Sequence, residues 1–210
     1  MAKPLTDSIL ALTRYANETT GQSDPDLSSA VRTLCDGYGG GGDELRTIIT
    51  SLGLKAFKNC TLPETLLFPN VTNAMEQSLN MVEGIRAIVL PKITTLGAYA
   101  FSDSPTAYEV IDLGDNFGTI STWQFSNDRK LKTLLLRSTT RINLSNINAF
   151  NGTPFASNGT GGTLYVPQDL ISSYQSASGW STILGYANNS IQAIEGSQYE
   201  NYYADGTPIE

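Results

Sequence analysis

The feature that most constrains the fold is an aromatic or leucine residue that recurs at nearly constant spacing. Successive copies are separated by 22, 22, 24 and 25 residues, and a short apolar run follows each copy. A period between about 20 and 50 residues is typical of a solenoid, in which no repeat buries its apolar face without its neighbours. We predict that these five positions form the repeat core: Phe57, Leu79, Phe101, Phe125 and Phe150.

A polar residue able to form a turn stands two positions after several of these copies. These residues are Asn59, Asp103 and Asn127, whose short side chains hydrogen-bond backbone groups at turns. Residues 54–62, residues 96–102 and the strand-like residues 88–91 resemble BspA-type leucine-rich repeats of bacterial and phage-associated proteins. The resemblance implies an α/β repeat solenoid, a short leucine-rich-repeat array with parallel strands. Two departures are Leu79, in place of an aromatic residue, and Gly152, in place of the polar turn residue.

Each apolar run is expected to form a short parallel strand. Residues on a strand alternate between its two faces, so Ile88 and Leu90 are predicted to point inward and Val89 outward. The prolines at 69, 91 and 167 are expected to end their strands. Outward-facing residues of successive strands would form one exposed column. The candidate recognition surface is therefore Val89, Asp112, Leu135 and Tyr165.

The N-terminal region reads as a small helical attachment module over residues 1–38. Its candidate attachment helix carries one apolar stripe at helical spacing, made by Leu5, Ile9, Leu12 and Ala16. Residues 5–39 are similar to N-terminal segments of structural proteins in phages and prophages of Gram-positive bacteria. That similarity implies attachment or oligomerisation. The glycine-rich residues 39–44 are predicted to be a flexible linker, because no Lys-Ser or Lys-Thr follows them as a phosphate loop requires.

The solenoid with its two caps is predicted to span residues 45–196. An amphipathic helix after Pro167, followed by Trp180 and Ile183, is expected to close its C-terminal end. Residues 197–210 are interpreted as a mobile tail, or alternatively as a segment that docks on a neighbour.

Composition excludes several classes of function. The chain has no histidine, which removes Ser-His-Asp and Cys-His catalysis and histidine metal ligation. Its net charge of −7 disfavours nucleic acid and anionic membranes as partners. No apolar stretch reaches the length of a membrane helix, and the first residues do not read as a signal peptide. Whether Cys35 and Cys60 form a disulfide is left open by the sequence.

Carboxylates are the remaining candidates for general acid–base chemistry. Asp112 and Asp115 lie close in sequence, with Glu109 nearby, but no feature marks a cleft between them. A calcium site from Asp103, Asp112 and Asp115 matches no known loop spacing. Aromatic side chains could stack on a sugar, and the candidates are Tyr99, Tyr108, Trp123, Tyr165, Tyr174 and Trp180. The place of Tyr99 and Trp123 two residues before core aromatics favours packing instead. We predict no catalytic residue, cofactor or metal site.

The two resemblances together imply a non-enzymatic virion-associated protein of a phage or prophage, assembled in the bacterial cytoplasm. Its solenoid would display a recognition surface, and its N-terminal module would bind other virion proteins, with a homotrimer as one arrangement. The alternative is a BspA-like adhesin on the bacterial cell surface that binds host protein or glycan. A third class is an intracellular interaction scaffold. Nothing in the sequence identifies the ligand.

Overall fold

A computed structural model describes residues 49–209. The attachment module, the glycine linker and the stripe Leu5, Ile9, Leu12 and Ala16 lie outside the described residues. So does most of the proposed N-terminal cap, residues 45–48. The domain boundaries inferred from the sequence therefore stay predictions.

The described chain alternates longer and shorter strands, followed by short helices. The longer strands are β2 Thr65–Leu67, β4 Ala87–Leu90, β6 Val110–Leu113, β8 Thr133–Leu136, β10 Thr163–Val166 and β11 Ser190–Ala193. The shorter strands are β1 Ser51–Leu52, β3 Asn73–Ala74, β5 Thr95–Leu96, β7 Thr119–Ile120 and β9 Asn143–Leu144. Two 3₁₀-helices cover Ile147–Phe150 and Gln168–Leu170, and two α-helices, α1 and α2, cover Ile171–Ser176 and Trp180–Leu184.

The longer strands form one six-stranded parallel sheet in the order β2-β4-β6-β8-β10-β11. The shorter strands pair in parallel as β1-β3-β5 and as β7-β9. Each repeat therefore contributes one strand to each side of a coil. This is the α/β repeat solenoid with parallel strands that the sequence predicts, with more residues in strands than in helices. Pro91 and Pro167 directly follow β4 and β10, as expected.

The predicted repeat-core residues form a buried column along the solenoid axis. Phe57 is 6% exposed, and the other four core positions are at most 1% exposed. The rings of Phe101 and Phe125 stack with centroids 5.6 Å apart, and those of Phe125 and Phe150 with centroids 5.5 Å apart. Stacked aromatic pairs of this kind add about 0.5–1.5 kcal/mol each beyond the burial of their area.

A third backbone ladder holds the aromatic turns of adjacent repeats together. The amide of Phe57 donates to the carbonyl of Ser78 at 2.7 Å, and that of Leu79 donates to the carbonyl of Ala100 at 2.8 Å. The residue two positions after each core residue has a left-handed backbone, with φ between 55° and 71°. Asn and Asp tolerate this conformation and glycine adopts it without strain. Gly152, which looked like a departure from the pattern, thus suits the φ of 71° at its turn.

The C-terminal helices cap the aromatic column. Trp180 packs on Phe150 with ring centroids 6.1 Å apart, and its indole N–H donates to the carbonyl of Ile142 at 2.8 Å. The hydroxyl of Tyr174 accepts from the amide of Ile142 at 3.0 Å. The amphipathic helix expected after Pro167 is present as the 3₁₀-helix Gln168–Leu170 and α1, and a second helix, α2, follows Gly179, whose φ is 81°. The edge strand β11 was not anticipated from the sequence.

Candidate recognition surface

The predicted surface residues lie side by side on consecutive strands. Val89 pairs with Asp112, Asp112 with Leu135, and Leu135 with Tyr165 in the parallel register of the long sheet. Ile88 and Leu90 lie in the main core, on the opposite face of β4. The sequence therefore grouped the four residues correctly into one column.

The expectation that this column is exposed is wrong. Val89 and Leu135 are 0% exposed and Asp112 is 1% exposed, whereas Tyr165 is half-buried. A second, smaller apolar cluster lies on this outer face and contains Ala87, Val110 and Leu135. Tyr165 packs against it together with Tyr199 and Ala204 from the end of the chain.

The C-terminal segment, residues 197–209, packs on the outer face at Asp112 of β6, Leu135 of β8 and Tyr165 of β10. The tail that the sequence indicated as mobile instead has a defined place on its own solenoid. The rings of Tyr199 and Tyr165 meet edge to face with centroids 5.0 Å apart. This contact contributes to the burial of Leu135, which lies in the same apolar cluster, because apolar groups that exclude water from a sheet face stabilise it.

Within this segment, residues 201–209 form a small hairpin, here called the C-terminal hairpin. Tyr203 donates its amide to the carbonyl of Thr207 at 2.8 Å, and Ile209 donates to that of Asn201 at 3.0 Å. Gly206 has a φ of 89° and donates to the carbonyl of Tyr203 at 2.9 Å, which closes the turn. Asp-Gly between short extended runs is a hairpin signal, and it was overlooked.

A buried ion pair joins the sheet to this segment. The Nε and Nη2 atoms of Arg137 donate to the two carboxylate oxygens of Asp112 at 2.7 and 2.9 Å. Arg137 also donates to the main-chain carbonyls of Tyr199 and Tyr202, each at 3.0 Å. Its guanidinium carbon lies 5.3 Å from the centre of the Tyr203 ring. Bidentate pairing of this kind is geometrically specific.

Asp112 completes the arrangement by accepting a hydrogen bond from the amide of Ala204 at 3.0 Å. Burial raises the pKa of Asp112, while the hydrogen bonds and charge of Arg137 and the amide of Ala204 act in the opposite direction. The side chain of Arg137 is 9% exposed. Arg137 was not selected from the sequence. The only feature that marks it there is its position as a charged residue directly after the apolar run that forms β8.

The opposite side of the solenoid presents a neutral polar surface. The outward positions of the shorter strands are exposed or half-exposed, and all carry hydroxyl or amide side chains: Ser51, Asn73, Thr95, Thr119 and Asn143. Neighbouring rungs are linked, since the Thr95 hydroxyl donates to the Asn73 amide oxygen at 2.6 Å. We call these five residues the polar ladder.

Three of the aromatic candidates for sugar stacking, Tyr108, Tyr174 and Trp180, are at most 1% exposed and therefore cannot stack on a ligand. Two others lie on the turns between the two sheets. Tyr99 and Trp123 are both half-buried and have left-handed φ values of 57° and 66°. Each stands two residues before a core aromatic, at the same repeat position as Lys55 and Gln77. They are therefore part of the turn structure and keep some exposed ring surface.

The carboxylates do not assemble into a reactive centre within residues 49–209. Asp112 is engaged by Arg137 and Ala204, and no group of three His, Cys, Asp or Glu residues lies close enough to hold a metal ion in that part of the chain. In the same range, no helix has the length and apolar character needed to cross a membrane. Cys60 is buried in the core, and Cys35 lies outside the described residues.

Parallel coils of 22 to 25 residues around an axial column of apolar side chains define a leucine-rich-repeat solenoid. The family model for the BspA type leucine-rich repeat region matches residues 45–161 in six copies. Because the match spans more than half of the 210 residues, the chain belongs to the BspA-type leucine-rich-repeat family. No curated protein and no solved structure matches the chain.

Family membership confirms the repeat part of the resemblance drawn from residues 54–62 and 96–102. Five copies were counted from the sequence, one fewer than the family model finds. BspA-type repeats are protein-interaction repeats and are not typically enzymatic, so a protein-binding or adhesion role is the function class that the family supports.

Proposed function

We propose that this chain is a non-enzymatic recognition component of a phage or prophage particle. The solenoid binds a protein or glycan target, and residues 1–38 attach it to other virion proteins. The repeat family supports the recognition part of this proposal. The resemblance of residues 5–39 to phage structural proteins is the observation that carries the attachment part.

The surface available for recognition differs from the one first inferred. Val89, Asp112 and Leu135 are buried, and the C-terminal segment packs on Leu135 and hydrogen-bonds Asp112. The polar ladder remains accessible, and within β1-β3-β5 and within β7-β9 its residues follow the spacing of paired parallel strands, about 4.8 Å. Hydroxyl and amide groups at such intervals offer hydrogen-bond donors and acceptors without charge, which suits a glycan or a polar protein surface.

The test is mass spectrometry of purified, nuclease-treated particles from a bacterium that encodes the chain. The proposal predicts that the chain is recovered in stoichiometric amount with known particle proteins. A matched sample of peptides shaved from intact cells by a surface protease serves as the comparison. Absence from particles together with recovery from shaved cells would instead identify a cell-surface adhesin of the BspA type.

A further inference from the structure

We propose that the outer face of the long-strand sheet is a peptide-binding site that the C-terminal segment occupies in cis. Its ligands in trans would be tyrosine-rich peptide segments that offer main-chain carbonyls to Arg137 and an amide N–H to Asp112. The inference concerns the solenoid itself and does not depend on whether the chain belongs to a particle.

The contacts that hold the segment are mostly contacts to its main chain. Arg137 donates to the carbonyls of Tyr199 and Tyr202, and Asp112 accepts from the amide of Ala204. Main-chain contacts provide affinity for any segment of suitable shape, whereas side-chain contacts select among segments. Here the selecting contacts are aromatic: Tyr199 against Tyr165, and Tyr203 against the Arg137 guanidinium.

An aspartate at position 112 is unusual on a sheet face that serves only for packing. Val89 and Leu135 occupy the same column in the neighbouring strands and are apolar. A buried ion pair is often no more stabilising than apolar residues of similar volume, and in some proteins such a pair provides conformational specificity. The partners of this pair, apart from one another, are main-chain groups and an aromatic ring of the C-terminal segment. The pair thus specifies what the face binds.

The connection to the rest of the chain allows the segment to leave. β11 ends at Ala193, and Glu195 and Gly196 are exposed. Gly196 has a φ of 76°, and open space surrounds the position where a Cβ would stand. Release of residues 197–209 would therefore leave the pairing of β10 with β11 in place.

The experiment starts from the full chain with a protease recognition sequence inserted after Gly196. Cleavage leaves the segment on its site without a covalent tether. A fluorescent synthetic peptide with the sequence of residues 197–210 is then added, and its uptake is followed by anisotropy. We expect the cleaved protein to take up the peptide, with the uncleaved protein binding it at least about tenfold more weakly because the tethered segment competes at high local concentration.

Peptide variants test the assigned contacts without altering the solenoid. Ala204→Pro removes the amide that donates to Asp112, and it is compatible with the turn because proline is favoured at its second position. Loss of a hydrogen bond to a charged group should weaken binding about tenfold or more. Glu200→Gln is the matched control, since the hydrogen bond of the Glu200 side chain is to the amide of Gly196, outside the peptide.

An Arg137→Ala solenoid should lose uptake of the unmodified peptide, whereas the exposed Arg129→Ala should retain it. If the cleaved protein takes up no peptide, the segment is a permanent part of the fold and the proposal is wrong. Equal binding of the Ala204→Pro and unmodified peptides would also overturn it.

Discussion

Asp128 shows how much a single buried side chain can influence the solenoid. One carboxylate oxygen accepts from the amide of Ser104 at 3.0 Å, and the other has no hydrogen-bond partner among residues 49–209. Burial, with a further contribution from the nearby charge of Asp103, raises the pKa of Asp128 well above its usual value. Burial raises the pKa of the neighbouring Tyr108 as well, and the charge of Asp128 raises it further.

A raised carboxyl pKa makes the stability depend on pH. The contribution of Asp128 is fully present below its unfolded pKa and is lost as the pH rises towards its folded pKa, because the unfolded state then releases the proton first. We expect Asp128→Asn, which retains an acceptor for Ser104, to gain stability relative to the wild type as the pH rises from 3 to 8. Urea denaturation of both proteins across this range measures the difference. A difference that does not change with pH would contradict the assignment.

The aromatic column offers a second prediction at the residue scale. Phe125 is 0% exposed and stacks on both Phe101 and Phe150. Phe125→Ala should lower the free energy of unfolding by about 3–5 kcal/mol, since it leaves a cavity between two rings. Phe125→Leu is the control, because Leu79 fills the equivalent position of an earlier repeat. It should cost clearly less, and equal losses in chemical denaturation would argue against ring packing as the cause.

At the scale of elements, the short helices α1 and α2 act as a lid on the last coil. A solenoid needs such a cap, because its terminal repeat would otherwise expose its core. Trp180 supplies both the covering ring and a hydrogen bond to Ile142, whose amide is also bonded by Tyr174. The cap therefore connects the aromatic column to the backbone of Ile142, the residue before β9.

Trp180→Phe should separate these two contributions. The ring is largely retained, but the buried carbonyl of Ile142 loses its donor, which costs about 1–3 kcal/mol. We expect faster amide hydrogen exchange in β9, β10 and the helices, with β2 and β4 little affected, because contacts in a solenoid are made between neighbouring repeats. The exposed Tyr202→Phe is a matched aromatic control. Uniformly faster exchange along the array would contradict a local role.

At the scale of the whole molecule, the open question is how copies associate. The stripe Leu5, Ile9, Leu12 and Ala16 is a predicted helix–helix seam and lies outside the described residues. If it assembles a trimer, deletion of residues 1–42 should lower the mass per particle in light scattering to that of a single chain. Substitution of all four stripe residues by serine tests the same seam in the full-length chain and should lower the mass per particle in the same way. An unchanged mass after deletion would mean that the module does not mediate oligomerisation.

The two surfaces of the solenoid differ in their accessibility to solvent because of long-range packing. The long-strand face carries an apolar cluster and is covered, whereas the short-strand face carries the polar ladder and stays accessible. Alternation along each strand was readable in the sequence. The burial of Asp112 was not readable in the sequence, since Ala204, whose amide donates to the Asp112 carboxylate, lies 92 positions away.

The sequence by itself determined the repeat, its period, the residues of the core column and the grouping of Val89, Asp112, Leu135 and Tyr165. These features depend on local periodicity, and the same pattern recurs in every repeat. Only the tertiary structure decided that this group is buried and that Arg137 links it to the C-terminal hairpin. Such contacts occur once, join distant parts of the chain and leave no periodic signal. The apolar contacts among them are stabilised by excluding water from the sheet face. Which distant segment of the chain packs on that face does not follow from the pattern of the strands.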